Sequence, residues 1–366
     1  MRLNLLSPDR PPPVRRLTVA SVASTLVVWN PALSPAKPAH RAELVTVDDA
    51  LLSRFHRGPL HTLAAPAAPR SWMTGAAYTA DGELVEASRR WWSGDRSAPV
   101  SVDPEHVGMP PAAPRLEGSW RYAGHWTTHF GHFLIEVLTN LWGPVSEVDG
   151  LVFHRTYRGG APGRRRDGVR SAELLPWQRD LLALAGYVGP EARVVRHRPL
   201  RVDHLVVASR PVLLKSWAAE EAVEVWRRVS DAVGDRGPDE RVFLSRTLFN
   251  QDGTSSRRDA ADVAWDTRLD ELFARAGFAV VHPERLSVAE QVATIRGAAV
   301  LAGSAGSALH LSAVASPGTR VLEIGDTRSP SEPMPTQRLI DAACGHLTAF
   351  VGYRDDKALG RVLRSL

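Results

Sequence analysis

The chain has 366 residues, 44% hydrophobic and 23% charged, values that exclude a disordered or fibrous chain and leave room for two domains of ordinary size. Its net charge of +5 rests almost wholly on arginine, because lysine stands only at Lys37, Lys215 and Lys357. That bias suits a phosphate-bearing ligand or an anionic membrane surface, and the lack of a basic run interleaved with aromatics argues against nucleic acid as a partner.

The single cysteine, Cys344, excludes a disulfide within the chain. No apolar run reaches the length of a membrane span, so a cytoplasmic protein is expected, with peripheral membrane contact left open. Residues 1–14, with Pro11 to Pro13, read as a flexible lead-in. Leu17 to Trp29 imitates a signal peptide faintly and reads as a strand. Residues 15–115 form a β-rich N-terminal region, with a hairpin around Ala80-Asp81-Gly82-Glu83.

From about residue 118 strands and helices alternate. A helix to about Trp142 stops at Gly143-Pro144, and a strand follows at Leu151–His154. Arg158–Arg170 reads as a mobile loop, Ala172–Ala185 as a helix, Arg193–Arg196 and His204–Ala208 as strands, and Ala218–Val233 as a helix. These make an N-terminal α/β lobe over 116–234, and Gly234 to Pro238 is a linker. A second α/β lobe covers 239–352: strand Arg241–Ser245, helix Asp262–Ala276, strand Phe278–Val281, helix Val288–Gly297, strand Ala299–Leu301, a helix from about Leu309 and strand Arg320–Ile324. Residues 353–366 form a C-terminal helix. Such alternation implies parallel sheets flanked by helices.

The first candidate site is the stretch from Gly124 to Glu136. His125, His129, His132 and Glu136 are spaced by four, three and four. On a helix turning about 100° per residue they share roughly 60° of arc. Histidine changes charge near neutral pH, so such a row ending in a carboxylate points to proton transfer or metal binding. His125 also fits a loop ahead of the helix, with Thr127 or Thr128 as N-cap. The His-Glu-x-x-His motif and any cysteine pair are absent, which weakens the metal reading.

The second is the loop Gly303-Ser304-Ala305-Gly306-Ser307-Ala308, between a strand and a helix. Small residues let a ligand approach the backbone, and a helix start offers unpaired N–H groups to an anion. It lacks the third glycine of a dinucleotide fingerprint and the Gly-Lys-Ser/Thr of a P-loop. Arg246, just past its strand, lies where open α/β sheets bind ligands and is suited to a diphosphate. Glu323, late in its strand, suits a ribose.

These pieces resemble glycosyltransferase family 61. The resemblance lies in Gly131-His132-Phe133-Leu134-Ile135-Glu136, in Val242-Phe243-Leu244-Ser245-Arg246, and in the run from Gly277 to Glu323. That run includes Pro283 to Gln291, Gly306-Ser307-Ala308-Leu309-His310 and Pro317 to Ile324. It spans roughly residues 118 to 325. The chain departs from the family pattern at Ala305, where a histidine is frequent, at Trp265-Asp266, where an Asn-Glu pair is frequent, and in the offset of Arg257-Arg258.

The resemblance implies a GT-B-like fold of two Rossmann-like lobes facing a central cleft. It also implies a nucleotide-sugar donor on the C-terminal lobe and inverting transfer to a hydroxyl acceptor, in surface polysaccharide or glycoconjugate biosynthesis. In that setting His132 is the expected base, Glu136 its partner and His129 its competitor. Arg246 and the N–H groups from Ser304 through Gly306, Ser307 and Ala308 to Leu309 would hold the diphosphate, and Glu323 the ribose. With no Asp-x-Asp motif, no metal cofactor is expected. Two alternatives stand beside this reading: a metal-dependent hydrolase built on His125, His129 and His132, and a non-catalytic nucleotide-sugar binding protein.

Overall fold

A computed structural model describes residues 29–31, 41–54, 56–57, 73–92, 100–101, 113–145, 147–155, 170–171, 174–195, 198–234, 240–251 and 260–366. The lead-in, the strand read over residues 17–28, most of the arginine-rich loop at 158–170, the linker beyond Gly234 and the Arg257-Arg258 pair lie outside them.

The architecture is mixed α/β, built on two large sheets. The first sheet contains strands β1 (Leu44–Leu52), β2 (Ala77–Tyr78), β3 (Arg115–Trp126), β4 (Gly150–Arg155), β5 (Glu191–Val195) and β6 (Leu200–Ala208). They run in the order β5-β4-β3-β6-β1-β2, and the two-residue strand Arg170–Ser171 pairs outside β5. The four central strands are parallel; β1 and β2 join antiparallel at one edge. The N-terminal region is therefore not detached, because β1 pairs with β6 along its whole length. The hairpin read at Ala80 to Glu83 is present, with Thr79 N–H donating to the Glu83 carbonyl and Tyr78 bridging to Leu84.

The second sheet holds β7 (Glu240–Leu244), β8 (Ala279–Val281), β9 (Ala298–Ser304), β10 (Arg320–Ile324) and β11 (Leu347–Val351), parallel to one another in the order β11-β10-β9-β7-β8, and the two-residue strand Asn30–Pro31 pairs antiparallel outside β11. The chain leaves β7 for β8 on one side, then crosses back to β9 on the other. The carboxyl edge between β7 and β9 is thus the point where strand order reverses, the crevice in which open α/β sheets take ligands. Helices Ala260–Arg275 and Val288–Arg296 make the crossovers. Val288–Arg296 begins with a capping box in which Ser287 Oγ accepts from the Glu290 N–H and Glu290 reaches back to the Ser287 N–H.

An apolar cluster runs without a break from one sheet to the other through the helices between them, taking in Phe133, Leu138, Trp226, Val292, Leu309 and Ile340. Trp226 is fully buried and donates its indole N–H to the Leu134 carbonyl. Among the described residues no helix is long and apolar enough to cross a membrane.

Two helical expectations change form. The helix read through the histidines covers only residues 130–141, as one α-turn at Phe130–His132, a π segment at Phe133–Val137 and a 3-10 turn at Leu138–Leu141. Phe133, Leu134, Ile135, Val137, Leu138 and Leu141 are all buried, so packing on every side sets the path of this helix. The helix expected from Leu309 is a six-residue 3-10 helix, Leu309–Val314.

Candidate functional site

His125 does not share a stripe with His129 and His132. It is the last residue but one of strand β3, next to Gly124 at φ +81°. Its ring is 3% exposed and stacks on His154 at 5.5 Å, and Arg210 donates to its Nδ1 at 2.8 Å. A guanidinium cannot accept, so the His125 proton sits on Nε2. Burial, with Arg210, Arg90 and His154 close by, holds this histidine well below its ordinary pKa. Burial likewise pushes His154 down to about 4; its Nε2–H donates to the Ser53 carbonyl and its Nδ1 accepts from Tyr122. Both are neutral packing groups. The set of three histidines offered for a metal-dependent hydrolase therefore does not converge.

His129 and His132 do meet. His129 is the N-cap of the helix: Thr127 Oγ1 accepts from the His129 N–H, and His129 Nδ1 accepts from the His132 N–H at 3.4 Å. Their rings lie edge to face at 4.8 Å. His132 Nδ1 lies 2.7 Å from Glu136 Oε2, while Arg90 donates to Glu136 Oε1 at 2.9 Å. Burial works to raise the Glu136 pKa. The Arg90 charge and the His132 hydrogen bond outweigh it and hold the carboxyl well below the usual carboxylate range. Glu136 is therefore an acceptor only, so His132 donates from Nδ1, and the neutral ring in this tautomer carries its lone pair on Nε2. The His132 side chain is 37% exposed, while Glu136 and Arg90 behind it are 16% and 8% exposed. Arg90, 46 residues upstream, was not legible in the sequence: no motif marks it.

The second half of the site follows the switch point. Arg246 lies past β7 and donates to the Ala305 carbonyl at 3.0 Å. In the loop after β9, Gly306 adopts φ +142°, a region that favours glycine. The Ala305 N–H is taken by Ile324, and the Leu309 and His310 N–H groups by the Gly306 carbonyl. The N–H groups of Gly306, Ser307 and Ala308 donate to no other described residue. The expected run from Ser304 to Leu309 therefore contracts to these three, and a 3-10 turn this short adds little macrodipole.

Glu323 differs from its expected role. It is 3% exposed and accepts the Met334 N–H at Oε1, and burial pushes its pKa up to about 8. At neutral pH it is an enclosed, protonated group instead of an open carboxylate for a ribose. Nearby Asp341 is pushed to about 7 by burial, against hydrogen bonds from Gln337 and Ser312. A carboxyl whose folded pKa is raised contributes stability below its unfolded value, here 4.5, and loses it as pH rises through about 8. Glu323→Gln is expected to remove this loss, on the order of 2–4 kcal/mol by pH 8. Melting temperatures of the two proteins at pH 5 and pH 8 test this: the variant should gain on wild type only at the higher pH.

The two halves are in contact. A Cβ placed on Gly131 would stand 2.9 Å from Ser307 Oγ and 3.0 Å from His310 Cδ2. Only the missing side chain lets the His129–His132 turn lie against the Gly306 loop. His310 is held by its Nδ1–H to Gln337 Oε1 at 2.9 Å, and burial pushes it down to about 4.

Residues 130–322, more than half of the chain, match the family model described as glycosyltransferase 61. No curated protein matches the chain. The matched segment opens on the histidine turn and runs through the Gly306 loop, the two parts that Gly131 brings together. A sugar donor and an acceptor are thereby implied, and the chain belongs to glycosyltransferase family 61.

Proposed function

We propose that this glycosyltransferase inverts the anomeric carbon as it moves a sugar from a nucleoside-diphosphate donor to a hydroxyl acceptor in surface polysaccharide or glycoconjugate biosynthesis. In this reading the two sheets are GT-B-like lobes, the second carrying the donor and the first the base. The observation that supports it best is the seat of the His132 turn against Ser307 and His310, which sets a half-exposed imidazole beside unpaired amides.

In this mechanism His132 Nε2 takes the proton of the acceptor hydroxyl. The acceptor oxygen attacks the anomeric carbon from the face opposite the diphosphate, and the carbon–oxygen bond to the diphosphate breaks. The imidazolium that forms faces Glu136, which Arg90 holds ionised. His129, whose Nδ1 accepts a backbone N–H, lies edge to face against the His132 ring and fixes its position. Arg246 and the amides of Gly306, Ser307 and Ala308 take up charge on the departing diphosphate, in the manner of an oxyanion hole. They stand in for a metal cofactor, so transfer survives a chelator. Glu323 has no part in ribose binding; it fixes the Met334 turn.

Thermal-shift measurements with UDP, GDP, CDP, ADP and TDP test the donor class. One of them at 100 times its Kd should stabilise the protein by about 2.7 kcal/mol. The configuration of the glycosidic bond, read by NMR from the product, tests the stereochemistry. A product with the donor's anomeric configuration overturns the single-displacement mechanism.

A further inference from the structure

Arg328 lies in the turn after β10, beside the loop after β9 and one strand removed from Arg246. Its Nη2 donates to the Ala305 carbonyl at 2.8 Å, the same oxygen that Arg246 Nη1 meets at 3.0 Å. Two guanidinium ions thus converge on one neutral acceptor. Both also flank Gly306: a Cβ there would stand 2.8 Å from Arg246 Nη1 and 3.0 Å from Arg328 Nη2. The three amides without a described partner begin at this same glycine.

Arg328 does not reach this place by chance rotation. Asp326, 2% exposed, grips it from behind: Arg328 Nε and Nη2 donate to Asp326 Oδ2 at 2.9 and 2.5 Å, and the Arg328 N–H donates to Oδ1 at 2.8 Å. The side chain is otherwise 48% exposed, so its forward face is open to a ligand. Two guanidinium forks side by side suit the oxygens of two linked phosphates.

We propose that Arg328 is a second phosphate-binding residue, opposite Arg246. Together they make the site selective for a diphosphate over a monophosphate donor, with Asp326 as the positioning residue for Arg328. The inference rests on the donor reading above and names residues beyond the segment matched by the family model, which ends at residue 322. One arginine for each phosphate gives a nucleoside diphosphate two charge-assisted contacts where a monophosphate finds one.

Calorimetric titration of the full chain with the preferred nucleoside diphosphate and its monophosphate tests this, on wild type, Arg246→Met, Arg328→Met, Arg328→Lys and Asp326→Asn. Wild type should bind the diphosphate more tightly. Arg328→Met should lose about 10–100-fold in diphosphate affinity, the value of one charge-assisted contact, and little for the monophosphate. Arg328→Lys, which keeps charge without the fork, should fall between, as should Asp326→Asn. An unchanged ligand-free melting temperature for Arg328→Met separates binding from folding. If Arg246→Met weakens binding while Arg328→Met titrates like wild type, the role of Arg328 is refuted. If both titrate like wild type, or wild type binds no diphosphate, the donor site itself is misassigned.

Discussion

Replacing His132 with alanine is expected to lower kcat by about 10²–10⁴-fold, the usual contribution of a positioned base, while the Kd for the nucleoside diphosphate stays near that of wild type. The split follows from the geometry. His132 lies on the helix that follows β3, and its side chain hydrogen-bonds Glu136 at 2.7 Å. Arg246 and the Gly306 loop, proposed above to hold the donor, make no hydrogen bond to it among the described residues. Exogenous imidazole should restore part of the rate. His129→Ala serves as the comparison. Its Nδ1 is engaged with a backbone N–H, so its loss should be milder. Near-normal turnover by His132→Ala, or a heavier loss from His129→Ala, would move the base elsewhere.

The second large effect falls on stability. Arg90→Met removes the cation that keeps Glu136 ionised, in a pair whose side chains are 8% and 16% exposed. Removing one member of a buried ion pair costs about 3–5 kcal/mol, because the other is left as an uncompensated charge. The sign with pH is definite. A carboxyl with a lowered folded pKa contributes stability above its unfolded value of 4.5 and loses it as pH falls toward the folded one. Arg90→Met should forfeit that contribution at neutral pH, and its stability should depend less steeply on acid. Arg90→Met with Glu136→Gln should recover much of the loss, since no charge is stranded. Urea titration of wild type and the two variants decides it, and an Arg90→Met protein within about 1 kcal/mol of wild type would deny the pair its role.

Much of the second sheet was legible because its central strands β9 and β10 are short, buried apolar runs and the helix Val288–Arg296 opens on a capping box. Strand Arg320–Ile324 and helix Val288–Arg296 fall within a residue of expectation. The Gly303–Ala308 loop and Arg246 come together because the switch point brings the ends of β7 and β9 side by side. The stretch from Pro335 to Val351 was not read, although it supplies a helix and the strand β11.

The histidine row misled for a physical reason. Spacings of four and three fit a helix, but the residues from Arg115 to Trp126 pair between two parallel strands, and that long-range pairing outweighs local periodicity. His125 was placed on the wrong element, while His132 and Glu136 were paired correctly, since their contact is local. Helix Pro176–Leu184 starts later than Ala172 because Pro176 belongs in a first turn, where its missing N–H costs nothing. Arg90 and Arg328 escaped notice because their roles depend on folds of the chain that no spacing encodes.

The tie between Arg90 and Glu136 sets a limit on how this enzyme can be cut or recombined. A fragment spanning residues 130–322 would keep the imidazole and the Gly306 loop but strand the glutamate without its cation, and it would expose the edges once covered by β1 and β11. Segments exchanged between relatives must therefore travel with the upstream stretch that carries Arg90 and with the last strand, or Glu136 arrives without its cation.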